Sequence, residues 1–161
     1  MKNILIPTDF SIKSLKLVKA AVERFPGEPL QVILVHALKP DNSISGLLML
    51  NKRLAVHQLY TQEFTEACEV LQNKYASVLK KVRIEFYYGG TKSYLKHFLE
   101  ARNIDAILLA KDYTLQPPSK AGRDLYPELR NSGCPVFEES LQTAAQRTLA
   151  GEASLSELLP A

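Results

Sequence analysis

The sequence predicts one α/β domain in which helices cover both faces of an open parallel sheet. Three observations lead to this class. Segments that are apolar at nearly every position recur along the 161 residues, as in strands buried on both faces. Segments with helical spacing of apolar residues alternate with them. Because strand and helix alternate along the chain, right-handed crossovers and parallel strands are expected.

The first strand is predicted at residues 3–6, and the rest of the chain is organised around it. Pro7 ends the strand because proline has no N–H to donate. Asp9 follows directly, and Ser11 can cap the helix that comes next. In open parallel sheets, ligands bind outside the carboxyl ends of the strands, where the strand order reverses. Asp9 is therefore expected to lie in such a crevice if this strand is central.

The middle of the domain is predicted to contain two further strands and a long helix. Residues 30–38 form a second continuous apolar run, and residues 50–79 carry apolar positions at helical spacing. Residues 82–88 alternate like a strand with one more exposed face, as expected at a sheet edge. Gly89 and Gly90 make the turn that follows.

The pattern continues with a helix over residues 91–101 and a fourth, continuously apolar strand over residues 105–110. An irregular stretch, residues 111–123, comes after this strand. It contains two consecutive prolines, which have no N–H and stiffen the backbone.

A short helix and a short strand complete the predicted domain. Asp124 can cap the helix, and Pro127 falls in its first turn, where a missing N–H costs little. The fifth strand is predicted at residues 134–137. Glu138 and Glu139 are expected to end it with their charge.

Composition excludes several kinds of partner. The net charge is only +3 and the basic residues are interleaved with acids, so no nucleic-acid partner is expected. No apolar run approaches the roughly 20 residues needed to span a bilayer, so no membrane partner is expected. Two cysteines, Cys68 and Cys134, and a start that enters a strand without a signal peptide favour a cytoplasmic protein with free thiols. The three histidines are far apart in sequence, and no metal site is predicted.

Residues 1–139 are predicted to form the domain, and residues 140–161 an additional tail with a weak helical pattern. The tail carries a weak helical face, a glycine and a second apolar cluster, with Leu141, Leu149, Leu155, Leu158 and Leu159 as its leucines. It is either a frayed terminus or a segment that docks on the domain or binds a protein partner. Its deletion is expected to change the oligomeric state or cause aggregation.

Four motifs, in this order and at this spacing, resemble the universal stress protein family. Residues 4–11 (ILIPTDFS) resemble its opening strand and the acid that follows, and residues 34–37 (LVHA) the end of its second strand. Tyr88-Gly89 and residues 105–109 resemble its third and fourth strands, and residues 134–136 its last strand. The match spans residues 1–137.

The resemblance implies a five-stranded parallel sheet of order 3-2-1-4-5 and a homodimer formed through the last strand. Because Glu138 and Glu139 would face their own copies across the two-fold axis, we expect this edge contact to be weak or shifted, with the leucines of the tail covering the edge or crossing to the partner. One branch of that family binds ATP. There an acid at the position of Asp9 holds the ribose or base, backbone near Val35 and His36 meets the adenine, and a glycine loop after strand four wraps the phosphates. Carried onto this sequence, the candidate nucleotide-binding residues are Pro7, Thr8, Asp9, Val35, His36, Ala110, Lys111, Gly122 and Arg123.

The sequence departs from that pattern in the glycine loop. Ala110 and Tyr113 stand at its first two glycine positions, and Gly122 lies near the last one, with Arg123 in place of the Ser/Thr. A phosphate cradle made of backbone N–H groups is therefore hard to build. Lys111, Lys120 and Arg123 either hold an anion by charge or are solvated surface residues.

The remaining candidates each have two interpretations. Asp9 either binds a ribose hydroxyl or caps the N–H groups of the following turn. His36 is interpreted as a core or rim histidine, since no paired acid or nucleophile is visible. Tyr87, Tyr88, Tyr94 and Tyr113 either line the mouth of the crevice or pack in the core. No triad, carboxylate pair or intact phosphate loop is present, so enzyme activity is the least supported class.

The sequence thus favours a non-enzymatic, dimeric module of the universal stress type, acting in signalling or protection with little or no ATP binding and no cofactor. The alternative is an adenine-nucleotide sensor that binds ATP or AMP through a rebuilt phosphate site at Lys111 or Arg123. Slow ATP hydrolysis is a third hypothesis, against which the absence of a positioned base argues.

Overall fold

The protein is described by a computed structural model that covers residues 1–39, 62–117 and 122–141. Five strands are present in this part: β1 Lys2–Pro7, β2 Leu30–Ala37, β3 Leu79–Tyr87, β4 Ala106–Ala110 and β5 Val136–Glu139. Four α-helices accompany them: α1 Lys16–Arg24, α2 Gln62–Lys74, α3 Lys92–Ala101 and α4 Tyr126–Arg130. A 3₁₀ turn, Ile12–Leu15, precedes α1, and Ser11 caps it as predicted, accepting a hydrogen bond from the Ser14 N–H.

The five strands form one parallel sheet in the order β3-β2-β1-β4-β5, which confirms the predicted fold class and strand order. The chain runs outward from β1 through β2 to β3 and then returns to β4 on the other side of β1. The strand order therefore reverses between β1 and β4. We call the space beyond the carboxyl ends of these strands the crevice, because open parallel sheets bind ligands at this point.

Alternate residues of β1 face two separate hydrophobic cores. Ile4 and Ile6 belong to the core that α1 and α2 cover, while Leu5 belongs to the core that α3 and α4 cover. All three side chains are fully buried. Each such side chain contributes about 1.5–3 kcal/mol through burial, so the central strand is held firmly between two helical layers.

Most elements lie within a few residues of their predicted bounds, and two differences affect the interpretation. Within the predicted helix at residues 50–79, α2 ends at Lys74 and β3 begins at Leu79, while residues 50–61 lie outside the described part. The prediction that Glu138 and Glu139 end the last strand is wrong, because β5 includes both. Each acid forms an ion pair within the chain: Glu138 with Arg130 at 3.0 Å, and Glu139 with Arg24 at 2.7 Å.

The start of the predicted tail is packed on the domain. Leu141 is 2% exposed and joins the core beside α1 and α2. The tail beyond this residue lies outside the described part of the chain. No helix in the described ranges is long and apolar enough to cross a membrane.

Candidate functional site

Asp9 lies at the carboxyl end of β1, in the crevice. Pro7 closes the strand, and the Thr8 N–H donates to the Val35 carbonyl at 2.9 Å. Phe10 then adopts a left-handed φ of 64°, which is unfavourable for a bulky residue. Its ring is 7% exposed and packs on Phe64 at 5.5 Å, so burial offsets the backbone strain. This turn places the Asp9 carboxylate inside the protein, where it is 4% exposed.

The Asp9 carboxylate accepts four hydrogen bonds, all from the chain itself. Oδ1 accepts from the Ser11 N–H at 3.1 Å and the Ser11 hydroxyl at 2.6 Å. Oδ2 accepts from the Tyr113 hydroxyl and, at 2.9 Å, from the Gln116 N–H. A carboxylate offers about four lone-pair positions, so these donors use its whole capacity.

The hydrogen bonds also set the charge state of the two side chains. Burial alone would raise the pKa of Asp9, but the bonds from Ser11, Tyr113 and Gln116 outweigh burial and hold its pKa below the ordinary value. Burial and the bond to Asp9 raise the pKa of the Tyr113 hydroxyl to about 12. At neutral pH the pair is therefore a carboxylate that accepts from a neutral phenol.

His36 lies near the carboxyl end of β2, beside the turn that carries Asp9, and is 1% exposed. Its Nδ1 lies 2.9 Å from the Thr8 carbonyl and donates to it, and the ring of Phe10 lies 4.5 Å away. Burial lowers the pKa of His36, against the opposing effects of the Thr8 bond and the Asp9 charge. The ring at neutral pH is thus neutral, and its Nε2 has no partner among the described residues.

Gly122 lies close to the His36 ring. It forms an antiparallel bridge with Leu38, just beyond β2. A Cβ at this position would approach the Pro117 Cβ to 2.4 Å and His36 Cε1 to 3.3 Å. Only glycine permits this close packing, so Gly122 is required here by its contact with Pro117.

Arg123 holds three neighbouring segments together. Its N–H donates to the Ala37 carbonyl at 3.0 Å, and its guanidinium donates to the Gly89 carbonyl and the Glu128 carboxylate. The guanidinium also lies over the Tyr87 ring at 5.6 Å. Arg123 thereby joins the ends of β2 and β3 to α4.

We call residues 111–117 and 122–123 the strap. It follows β4 and bonds to residues at or just beyond the ends of the other four strands. The Lys111 N–H donates to Glu139 of β5 at 3.1 Å, Tyr113 and Gln116 bond to Asp9 after β1, and Arg123 reaches Ala37 and Gly89 after β2 and β3. Leu115 is buried in the core beside α3 and α4. The strap therefore crosses the crevice and is held on both sides of it.

All nine residues predicted from the resemblance lie at this carboxyl edge, and the structure brings them together: Pro7, Thr8, Asp9, Val35, His36, Ala110, Lys111, Gly122 and Arg123. Their backbone groups are largely used inside the chain. The Ala110 N–H donates to the Tyr126 hydroxyl at 3.1 Å, and the Lys111 and Arg123 N–H groups donate to carbonyls. Whether any of these residues contacts a ligand stays a prediction.

Two contributors escaped sequence reasoning. Tyr113 was considered at the crevice mouth, but its bond to Asp9 joins residues 104 apart, and no spacing rule reveals such a pair. Gln116 acts through its backbone N–H, so its side chain carries no signal. Among the described residues, no group of three acidic, histidine or cysteine side chains lies close enough to hold a metal ion.

Comparisons with known proteins agree with this architecture. No family model and no curated protein matches the sequence. Among solved structures, a protein described as hypothetical protein MJ0577 is 20% identical, covering 86% of this chain and 95% of its own, with a TM-score of 0.54. Universal stress protein UspA from Lactobacillus plantarum is 21% identical, covering 85% of this chain and 96% of its own, with a TM-score of 0.52.

Fold and site together define the class: an open five-stranded α/β protein whose own strap crosses the carboxyl-edge crevice. Within that class, the chain has the fold of the universal stress proteins.

Proposed function

We propose that this chain is a universal-stress-type protein whose crevice is closed by its own strap and which therefore does not bind ATP. One observation carries the proposal: the Asp9 carboxylate, the acid at the mouth of the crevice, accepts four hydrogen bonds from Ser11, Tyr113 and Gln116. A ligand hydroxyl could bond to Asp9 only by displacing one of these donors.

The rest of the strap supports the same conclusion. A phosphate cradle needs free backbone N–H groups. Here the N–H groups of Lys111 and Arg123 donate to carbonyls of β5 and β2, and the Arg123 guanidinium is bonded to Glu128 and Gly89. An anion held by Arg123 would have to compete with the Glu128 carboxylate.

In this proposal the protein acts as a non-enzymatic, cytoplasmic signalling or protective module, and its partner is protein. His36 bonds through Nδ1 to a carbonyl, and no hydroxyl or thiol of the described residues bonds to its ring, so no nucleophile is activated there. Homodimer formation through β5 also gains support. Glu138 and Glu139 are paired with Arg130 and Arg24, so like-charge repulsion across a two-fold axis is weaker than the sequence suggests.

Isothermal titration with Mg·ATP tests the proposal. We expect no saturable heat at nucleotide concentrations up to about 1 mM. The matched variant is Asp9→Ala, measured in parallel with a check that it remains folded. Saturable binding by the wild type that Asp9→Ala abolishes would establish the nucleotide-sensor alternative. Saturable binding that Asp9→Ala leaves intact would place a nucleotide elsewhere and equally reject the proposal.

A further inference from the structure

Asp112, the second residue of the strap, bonds to Ser140 and Leu141, the two residues that follow β5. Asp112 Oδ2 accepts from the Ser140 hydroxyl at 2.6 Å, and Asp112 Oδ1 accepts from the Leu141 N–H at 2.9 Å. The preceding residue, Lys111, donates its backbone N–H to the backbone carbonyl of Glu139 at the end of β5. The following residue, Tyr113, donates to Asp9. Segment 140–141 and the Asp9 carboxylate are thus bonded to adjacent residues of the strap, Asp112 and Tyr113.

Apolar packing connects the same two places. Leu141 is 2% exposed and belongs to the core that also contains Phe10, the residue after Asp9. Tyr113 and Phe137 pack against that core. Leu141 is therefore buried in the same core against which the strap residue Tyr113 packs.

We propose that segment 140–141, held by Asp112, keeps the strap on Asp9, so that release of these two residues loosens the strap and opens the crevice. The biological meaning of this inference rests on the proposed function, in which the strap closes the crevice. The coupling between segment 140–141 and Asp9 rests only on hydrogen bonds and packing contacts within the chain.

Coupling of this kind is reciprocal. If the bonds at Ser140 and Leu141 stabilise the strap on Asp9, then the bond of Tyr113 to Asp9 must stabilise Leu141 by the same factor. Two amide protons report on the two ends: Gln116 N–H, bonded to Asp9, and Leu141 N–H, bonded to Asp112. Each can be perturbed from the other end.

Amide hydrogen exchange on the full chain, followed by NMR, tests the proposal. Asp112→Ala removes both bonds to the segment, and we expect the Gln116 amide to exchange about three- to tenfold faster, as for the loss of one or two net hydrogen bonds. Ser140→Ala, which removes one bond at a partly exposed position, should give a smaller acceleration at Gln116. From the other end, Tyr113→Phe should accelerate exchange at Leu141.

The matched control is Glu138→Ala, which removes an acid at the same end of the molecule but breaks only the ion pair with Arg130. It should leave the Gln116 amide unchanged. The proposal is overturned if Asp112→Ala and Ser140→Ala accelerate Leu141 but not Gln116, if Glu138→Ala accelerates Gln116 as much, or if Tyr113→Phe leaves Leu141 unchanged. Should Asp112→Ala fail to fold, Ser140→Ala and Tyr113→Phe decide the matter. No ligand enters these measurements, so their outcome is independent of the Mg·ATP titration.

Discussion

The two sides of the strap are held in different ways. On the side of β1, the Asp9 carboxylate has all of its acceptor positions filled by donors from Ser11, Tyr113 and Gln116. On the side of β2 and β3, buried polar atoms of the described part remain without a hydrogen-bond partner: His36 Nε2, Arg123 Nε and Tyr87 Oη. The hydrogen-bonding capacity of Asp9 is therefore fully used on the β1 side, while some buried polar atoms on the β2 and β3 side lack a partner.

The difference follows from the chemistry of the groups. A carboxylate offers about four lone-pair positions on two oxygens, so donors from three residues can fit it. A guanidinium needs acceptors in one plane, and among the described residues the Arg123 guanidinium bonds to the Gly89 carbonyl and Glu128 while its Nε has no partner. Because a buried polar atom without a partner costs free energy, the Asp9 side is expected to stabilise the domain more than the Arg123 side does.

The largest expected effect is at Asp9. Asp9→Ala leaves the Tyr113 hydroxyl and the Gln116 N–H without their acceptor in a largely buried site, and it removes the cap on Ser11. We expect the free energy of unfolding to fall by about 2–4 kcal/mol. Urea unfolding followed by circular dichroism measures it.

Two variants calibrate this prediction. Asp9→Asn keeps the shape and one acceptor oxygen, so its loss should be smaller than that of Asp9→Ala. Glu100→Ala, at an exposed position of α3, should change stability by no more than about 0.5 kcal/mol. An Asp9→Ala protein as stable as the Glu100→Ala protein would mean that the four bonds do not hold the strap.

The sequence predicted the position of Asp9 well, because local rules determine it. A continuous apolar run, a proline without an N–H and a capping serine are all read within ten residues. It also left open whether Asp9 caps a turn or meets a ligand. The structure shows that the Ser11 bonds supply the cap, while Tyr113 and Gln116 fill the remaining acceptor positions.

The sequence could not predict what depends on distant pairing. Glu138 and Glu139 were expected to end β5 because charge is unfavourable on a strand edge in isolation. Arg24 lies 115 residues from Glu139, and only the folded chain places the two together. Likewise the bond of Arg123 to the Gly89 carbonyl joins residues 34 apart and is not visible in the sequence, and whether Arg123 holds an anion stays a prediction.

A smaller effect is expected at Arg123. Arg123→Ala removes the bonds to Gly89 and Glu128 and the contact over Tyr87, so we expect a loss of about 1–3 kcal/mol in the free energy of unfolding. Its matched control is Arg130→Ala, whose ion pair with Glu138 is exposed on both sides and worth at most about 1 kcal/mol. If the two variants lose equal stability, Arg123 is an ordinary surface residue and the strap is held from the Asp9 side alone.

The smallest expected effect concerns pH and His36. Burial lowers the pKa of His36 below 6.5, so the unfolded chain takes up a proton at a higher pH than the folded protein does. The stability that depends on a neutral ring is complete above about pH 6.5 and is lost as the pH falls through the folded pKa. The loss amounts to about 1.4 kcal/mol for each unit by which the folded pKa is depressed. Urea midpoints measured from about pH 8 down to about pH 5 should therefore decrease.

His36→Asn isolates this contribution. An asparagine amide can still donate to the Thr8 carbonyl but does not titrate, so the decrease over this pH range should flatten even if the variant is less stable throughout. Asp9 does not confuse the measurement: its pKa is held below 3.8, so its contribution is present above that pH and is lost only as the pH falls through its lower folded pKa. An unchanged slope in His36→Asn would mean that other groups produce the pH dependence and that burial does not make the neutral form of His36 a source of stability.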